Sequence, residues 1–225
     1  MSEHLMIKSL FDLKETIAAD IFNGCIYPWE VLSKIKSEIL RIGNTLSSEE
    51  YEKKGEDVWI AKSAKVAPTA SITGPAIIGK DAEVRHCAFI RGSAIIGEGA
   101  VVGNSTELKN VLLFNKVQVP HYNYVGDSIL GYKAHMGAGS ITSNVKSDKS
   151  LVIVNSGDLK IETGLKKFGA ILGDYVEVGC NSVLNPGTVI GRSANVYPLS
   201  SVRGYVAEAS IYKKAGEIIA KNYAM

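Results

Sequence analysis

Residues 72–102 read ITGPAIIGKDAEVRHCAFIRGSAIIGEGAVV, and a branched aliphatic side chain returns at every sixth position of this stretch. The same spacing extends in both directions, and Phe114 continues it after the aliphatic series Ile60, Val66, Ile72, Ile78, Val84, Ile90, Ile96, Val102 and Leu108. A small residue stands four positions after each of the first seven members: Ala64, Ala70, Ala76, Ala82, Ala88, Ala94 and Ala100. A fixed short period is typical of a solenoid, whose stacked coils bury one continuous core. We therefore predict a mainly β protein in which three hexads form one triangular coil.

The composition is that of a globular protein, with 46% hydrophobic and 21% charged residues among 225. The formal net charge of +2 gives no indication of a nucleic-acid partner. No run of about 18 apolar residues predicts a membrane-spanning helix, and the first residues do not resemble a signal peptide. Cys25, Cys87 and Cys180 are too widely spaced for a disulfide framework or for paired zinc ligands. We expect reduced thiols, no metal site and a cytoplasmic location.

Three segments are predicted along the chain. Residues 1–55 form a helical segment, in which one helix carries Leu13, Ile17 and Ile21 and a second runs from Pro28 to residue 42. Residues 56–206 carry the hexads and form the β-helix domain. Residues 207–225 have apolar positions at helical spacing and are predicted to form a short C-terminal helix. The helical face of residues 28–42 should pack on the coils or on a neighbouring subunit.

The hexad spacing is interrupted twice. It slips near Pro120, and it stops after Asn144 before it resumes at Leu172. The second interruption, about residues 146–167, contains LVIVN and LKIET on either side of Ser156, Gly157 and Asp158. Two strand-forming runs around a turn-prone trio predict a β-hairpin insertion.

The first interruption concentrates polar chemistry. Residues 119–127 read VPHYNYVGD and place His121 beside two tyrosines, an amide and a carboxylate. Histidine titrates near neutral pH and can act as a general base. The alternative is a surface loop whose histidine is simply hydrogen-bonded. Insertions and irregularities in repeat proteins often map to the binding face.

Several motifs together identify a resemblance. They are RGSAIIGEGAVVGN (91–104), ELK (107–109), VPHYNYVGDSILG (119–131), GAGSITSN (137–144) and KKFGAILGDYVEVG (166–179). Over roughly residues 58–205 the chain resembles the acetyltransferase domain of bifunctional N-acetylglucosamine-1-phosphate uridyltransferase / glucosamine-1-phosphate N-acetyltransferase, and it is most similar to the archaeal sugar-1-phosphate branch. The resemblance implies a left-handed parallel β-helix, a homotrimer with active sites between neighbouring coils, and acetyl transfer from acetyl-CoA to an amino-sugar phosphate.

The resemblance also implies roles for individual residues. His121 corresponds to the base that takes a proton from the sugar amine, and the backbone N–H of Ala138 corresponds to the donor that stabilises the oxyanion. Cys180 and Pro198 correspond to positions along the acetyl-CoA groove, as does Ala138. The substrate set is Arg91 and Lys109 for the phosphate, with Tyr124, Asn144, His135 and Lys149. Lys149 is matched to a family lysine without a unique alignment.

Two departures from the family bear on function. His135 replaces a sugar-contacting asparagine, and Val145 replaces a tyrosine of the bacterial branch, although the archaeal-like branch also has an aliphatic residue there. Cys180 stands where the bacterial branch has a serine. The machinery of acetyl transfer is therefore expected to be retained, with an altered sugar pocket. The alternatives are a non-catalytic sugar-phosphate or sugar-nucleotide binding homologue of a UDP-N-acetylglucosamine pyrophosphorylase, and an acyltransferase for another amine. Residues 1–55 contain no glycine-rich phosphate loop of the family's nucleotidyltransferase domain, so we expect no nucleotidyl transfer.

Overall fold

A computed structural model describes residues 2–221, most of which form a parallel β-helix with three faces. The covered face consists of Val58–Ala61, Ala76–Ile78, Ala94–Ile96, the second halves of Glu107–Leu113 and Tyr124–Leu130, Ala170–Leu172, Thr188–Ile190 and Tyr205–Val206. The open face consists of Ser71–Ile72, Phe89–Ile90, the first halves of Glu107–Leu113 and Tyr124–Leu130, Ile141–Thr142, Val183–Leu184 and Ser201–Val202. The third face consists of Lys65–Val66, Glu83–Val84, Val101–Asn104, Gln118–His121, His135–Met136, Glu177–Val178, Asn195–Val196 and Ser210–Lys214. The predicted mainly β solenoid is confirmed.

The aliphatic member of each hexad points into the prism and stacks on its counterpart in the next coil. Ile78 pairs with Ile96, eighteen residues later, and both are fully buried. Ile96 then pairs with Leu113 rather than Phe114, so this coil has seventeen residues. The prediction that Phe114 continues the inward series is wrong. Its ring packs outward, 4.9 Å from the ring of Phe11.

The slip in the hexad spacing also lies elsewhere than predicted. Pro120 stands within a regular strand, because Val119 pairs with Val102 in unbroken register. The spacing shortens instead where the chain turns from the open face to the covered face, within the long strands Glu107–Leu113 and Tyr124–Leu130. Asn110 and Asp127 occupy these two turns with positive φ angles of 53° and 47°. Both residue types tolerate this left-handed conformation better than most.

The covered face is apolar on both sides, which explains why the N-terminal segment packs there. Six residues of this face point outward and are fully buried: Ile77, Ile95, Leu112, Ile129, Ile171 and Val189. The helix Ile35–Gly43 lies across Ala76–Ile78, Ala94–Ile96 and Glu107–Leu113. A helix with one apolar stripe and a sheet face of this composition bury each other, at a gain of about 25 cal/mol per Å² of apolar surface.

The helical content of this segment is confirmed, but its helices are shorter than predicted. Residues 28–42 are divided into the 3-10 helix Pro28–Val31 and the α-helix Ile35–Gly43. The helix predicted through Leu13, Ile17 and Ile21 is wrong, since Thr16 is extended and separates the 3-10 turns Leu13–Glu15 and Ala19–Phe22. The remaining helical elements are Glu3–Leu5 and Ile7–Leu10. Within residues 2–221, no helix is long and apolar enough to cross a membrane.

The predicted hairpin is present, as Ile153–Ser156 pairs antiparallel with Leu159–Glu162. Val152 and Val154 are fully buried, and His4 bonds Ser156 at 2.8 Å, so the hairpin folds back on this chain. A second hairpin pairs Tyr51–Lys53 with Val58–Ala61.

The predicted C-terminal helix is wrong where the chain is described. Ser210–Lys214 and Glu217–Ala220 form an antiparallel hairpin, and residues 222–225 lie outside the described part. Tyr212 pairs with Val196 and continues the inward series on the third face. The backbone of Asn195–Val196 offers hydrogen bonds that a helix at this position would forgo, so the ladder is favoured.

We predict that Ile39→Ala destabilises the protein by about 2–5 kcal/mol, because it leaves a cavity between the helix and the covered face. Ile39 is fully buried. Lys36→Ala on the exposed side of the same helix is the control and should change the free energy of unfolding by less than about 0.5 kcal/mol. Urea unfolding of both variants measures the difference. Equal stability of the two variants would contradict the packing of this helix.

Candidate functional site

Four of the predicted site residues stack along one corner of the prism. This corner, between the third and open faces, is called the His121 corner. Its successive positions are Pro68, His86, Asn104, His121, Ala138, Cys180 and Pro198. Neighbouring coils are about 4.8 Å apart, so the predicted base, the predicted oxyanion donor and the two predicted acetyl-CoA positions form one continuous line.

The backbone conformation of this corner repeats from coil to coil. The residue after each corner position except Pro68 has a positive φ, between 51° and 71°: Cys87, Ser105, Tyr122, Gly139, Asn181 and Leu199. From Ser105 onward the N–H of this residue donates to the carbonyl of the preceding coil's corner residue, as Gly139 does to His121 at 3.0 Å. Within residues 2–221 the N–H of Ala138 itself has no hydrogen-bond partner. A small, partly exposed residue with a free N–H can donate to a ligand that lies along the corner.

Asn123 fixes the backbone on which His121 stands. Its side chain is buried and accepts from the His121 N–H at 3.1 Å. The same side chain donates to the carbonyls of Gly137 and Ser140, at 2.9 and 3.0 Å, on either side of Ala138. One buried amide therefore ties together the two turns that carry the predicted base and the predicted oxyanion donor.

His121 is well placed to reach a ligand. The residue is exposed, and its imidazole has no hydrogen-bond partner within the described residues. Tyr122 beside it is 65% exposed. Both ring nitrogens of His121 are therefore available for proton transfer to or from a group on the open face or along the corner.

The open face next to this corner carries an ion pair. Arg91 Nη1 donates to Glu107 Oε1 at 2.6 Å, and the hydrogen bond and charge of Glu107 raise the pKa of the guanidinium. Glu107 pairs with Tyr124 in the next strand, so the three side chains occupy neighbouring outward positions. A guanidinium has five N–H donors, and one carboxylate oxygen leaves others for an anionic ligand.

A chain of hydrogen bonds links the far side of the open face to Tyr124. The Asn144 amide donates to Asp127 Oδ2 at 2.5 Å and to the Tyr124 hydroxyl at 3.4 Å. Asn110 donates to Asp127 Oδ1 at 2.9 Å and to the carbonyl of Leu32 at 3.2 Å. Asp127, which had no assigned role in the sequence, is buried and holds the two amides in place.

Tyr124 is kept in its protonated form by its surroundings. Burial raises the pKa of the phenol, and the negative charges of Asp127 and Glu107 raise it further. Gly126 makes room for this arrangement, because a Cβ there would lie 2.5 Å from the Tyr124 hydroxyl oxygen. At neutral pH the phenol can therefore donate a hydrogen bond to a ligand.

The other predicted substrate residues do not all join this cluster. Lys109 lies on the open-to-covered turn, opposite Gly126. His135 lies on the third face, where its Nδ1 bonds Glu177 at 2.7 Å. Lys149 is exposed in a turn of the insertion, outside the coils. Cys180 is exposed on the His121 corner.

Sequence reasoning missed Asn110, Asn123 and Glu107. Asn123 lies in the polar stretch 119–127, but only the register shows that its amide reaches the carbonyls of Gly137 and Ser140. Asn110 and Glu107 pair with residues of adjacent coils, and those pairs depend on the shortened coils. Within residues 2–221 no three His, Cys, Asp or Glu side chains are grouped to bind a metal ion.

Comparison with known proteins places this site in a family. The family model described as the GMPPB C-terminal domain matches residues 72–194, more than half of the chain. The chain belongs to this family. The matched residues include Arg91, Glu107, Tyr124 and Asn144 and all of the His121 corner except Pro68 and Pro198.

Curated relatives extend the similarity beyond the matched domain. The chain is 34% identical over 209 residues to the bifunctional protein GlmU of Methanococcus maripaludis, which covers 89% of this chain and 49% of the relative. It is 34% identical over 112 residues to the bifunctional sugar-1-phosphate nucleotidylyltransferase/acetyltransferase of Sulfurisphaera tokodaii, covering 50% of this chain and 28% of that protein. The chain thus spans about half or less of the length of these relatives.

Among solved structures, the polySia-specific acetyltransferase NeuO is similar with a TM-score of 0.46 and 12% identity, over 75% of this chain and 88% of that chain.

We predict that Asp127→Asn lowers the pKa of the Tyr124 phenol relative to the unchanged protein. The carboxylate opposes formation of the phenolate, and an asparagine of the same shape carries no charge. The measurement is an ultraviolet titration at alkaline pH. Subtracting the titration curve of Tyr124→Phe isolates the absorbance change of this tyrosine. Asp158→Asn in the exposed hairpin turn is the control and should leave the titration unchanged. An unaltered phenol pKa in Asp127→Asn would refute the coupling.

Proposed function

We propose that this chain is an acetyl-CoA-dependent N-acetyltransferase that acts on an amino-sugar phosphate, with His121 as the general base. The observation that carries the proposal is the single line of His121, Ala138, Cys180 and Pro198 beside the polar open face. Acyl transfer needs a general base, an N–H that stabilises the oxyanion and a groove that binds acetyl-CoA. The four residues follow one another along the corner in this order. The names of the curated relatives support the same chemistry.

The reaction follows from these positions. The acceptor amine loses a proton to an imidazole nitrogen of His121 as its lone pair attacks the thioester carbonyl carbon of acetyl-CoA. The carbonyl oxygen becomes an oxyanion that accepts a hydrogen bond from the N–H of Ala138. When the C–S bond breaks, the thiolate of CoA takes the proton from the imidazolium, and the amide product remains. The thioester arm extends along the corner past Cys180 and Pro198.

The open face binds the acceptor. Arg91 on the open face and Lys109 on the turn that ends it are the cations that we propose for the sugar phosphate, and charge-assisted bonds to phosphate oxygens favour this use. The protonated Tyr124 hydroxyl and the Asn144 amide are donors for sugar oxygens. Asp127 acts through Asn144 and is a positioning residue in this proposal.

The position of His135 supports a homotrimer with shared sites. His135 lies on the third face, whereas Tyr124 and Asn144 lie on or beside the open face of the same chain. It can contribute to an acceptor site only if the third face of one subunit approaches the open face of another. The resemblance to trimeric acetyltransferases gives the same arrangement.

We predict that His121→Ala lowers the rate of acetyl transfer by about 10²–10⁴-fold without unfolding the protein, because the side chain is exposed and bears the proton transfer. His86→Ala is the matched control, since His86 is an exposed histidine two coils away on the same corner. The assay follows free thiol released from acetyl-CoA with a panel of amino-sugar phosphates. Full activity in His121→Ala would exclude this base.

A second candidate function has a specific observation in its favour. His135 stands where the acetyltransferase family has an asparagine that contacts the sugar, and here it pairs with Glu177. This favours a non-catalytic sugar-phosphate binding protein. If the wild-type protein releases no free thiol from acetyl-CoA with any member of the panel, yet binds the sugar phosphates in calorimetry, this alternative replaces acetyl transfer.

The role of Ala138 gives a further prediction. Pro68 and Pro198 occupy the same corner position in other coils, so the backbone there accepts proline. Ala138→Pro removes the N–H and should lower kcat by about 10²–10³-fold, whereas Ala138→Gly keeps the N–H and should retain most of the activity. Comparable kcat values for the two variants, with circular dichroism spectra like that of wild type, would exclude this oxyanion donor.

A further inference from the structure

The corner between the covered and third faces carries two lysines in adjacent coils. Lys116 and Lys133 occupy equivalent positions, since the N–H of each donates to the coil below at the carbonyls of Glu98 and Asn115. Both have positive φ angles, 58° and 55°. Tyr175 occupies the same position in the following coil. We call Lys116, Lys133 and Tyr175 the lysine corner.

The ammonium groups of the lysine corner lack acidic partners. Within residues 2–221, no carboxylate oxygen lies within 4.0 Å of either Nζ atom. Two other cations that lie along the same edge are paired, Lys80 with Glu50 at 2.6 Å and Arg192 with the buried Asp174. Like charges in adjacent strands repel each other, so an anion between the two ammonium groups would relieve this repulsion.

Aromatic rings hold the two lysines in place instead of carboxylates. The Tyr132 ring centroid lies 5.8 Å from Lys116 Nζ and 5.2 Å from Lys133 Nζ. Lys133 Nζ is also 5.8 Å from the centroid of Tyr175, which stands edge-on to Tyr132 with 5.4 Å between ring centroids. Cation–π contacts orient an ammonium without neutralising its charge.

The lysines border a groove on the third face. Its lining residues are Gly99, Lys116, Gln118, Lys133, His135 and Glu177. Gly99, one coil below Lys116, leaves this end of the groove without a side chain. Glu177 is the acidic residue of the lining, and its carboxylate is engaged by His135 Nδ1. Gln118 adds an amide N–H donor to the two cations.

We propose that the lysine corner binds a phosphorylated small molecule of the nucleoside diphosphate class. The two ammonium groups take adjacent phosphoryl groups, and the Tyr175 ring, 48% exposed, packs against the nucleobase. Stacking on an aromatic side chain is available to every base. This site lies on a different corner from His121, and His135 is the lining residue that it shares with the acceptor site proposed above.

Isothermal titration of the full chain with pyrophosphate, ADP and UDP tests the assignment. The double variant Lys116→Met/Lys133→Met keeps apolar stems over Tyr132 but removes both charges, and it should bind pyrophosphate at least about tenfold more weakly than wild type. Lys65→Met, an exposed lysine of the same face, is the matched control and should bind like wild type. Equal affinity of the double variant and wild type would overturn the site.

Two further arms separate the parts of the proposal. Tyr175→Leu should weaken ADP and UDP by at least about threefold more than pyrophosphate, because the ring contacts the nucleoside directly, whereas its contact with Lys133 Nζ affects all three ligands alike. Equal loss for all three ligands, or no loss for any, would overturn the nucleoside assignment. Absence of wild-type binding at about 10 mM ligand would overturn the whole proposal. His121→Ala should bind all three ligands like wild type, so failure of the proposed acetyl transfer is distinguishable from failure here.

Discussion

The stacking of inward aliphatic side chains in fixed register is the constraint on which the rest of this structure depends. Because Ile78, Ile96 and Leu113 must lie directly above one another, every other position of a coil is also placed above its counterpart in the coil below. A residue's neighbours on the surface are therefore those one coil away in sequence. The line of His121 and Ala138 arises in this way, as do the pairs Lys116–Lys133 and Asn110–Asp127.

The three faces of the prism differ in the residues that point outward from them. The covered face has buried aliphatic residues outside as well as inside, such as Ile77 and Ile95, and it is stable in water only beneath the N-terminal segment. The open face has Glu107 and Tyr124 at corresponding outward positions, and the third face has Gln118 and His135. The proposed sites lie on the two polar faces and their corners, because the covered face is buried beneath the N-terminal segment.

The sequence predicts the coil architecture well, since a fixed six-residue period is typical of stacked β coils. It predicts the position of the shortened coils poorly, because Leu113 and Phe114 are both apolar and either satisfies the spacing. The C-terminal segment has the same ambiguity. Ile211, Ile218 and Ile219 fit helical spacing, and only the exposed backbone of the preceding coil decides in favour of strands. The corner residues of the site came from family motifs, whereas Asn110 and Asn123 required the actual register.

The hydrogen bond from Asn110 to the carbonyl of Leu32 joins the N-terminal segment to the residues around Tyr124. Asp127 accepts hydrogen bonds from both Asn110 and Asn144. These bonds therefore connect two equilibria: the docking of the N-terminal segment on the covered face, and the binding of a ligand that needs an ordered Asn144. Thermodynamic reciprocity requires each to strengthen the other by the same free energy. A ligand on the open face would thus stabilise the docked N-terminal segment without contacting it. Amide hydrogens of that segment would then exchange more slowly with the ligand bound than without it.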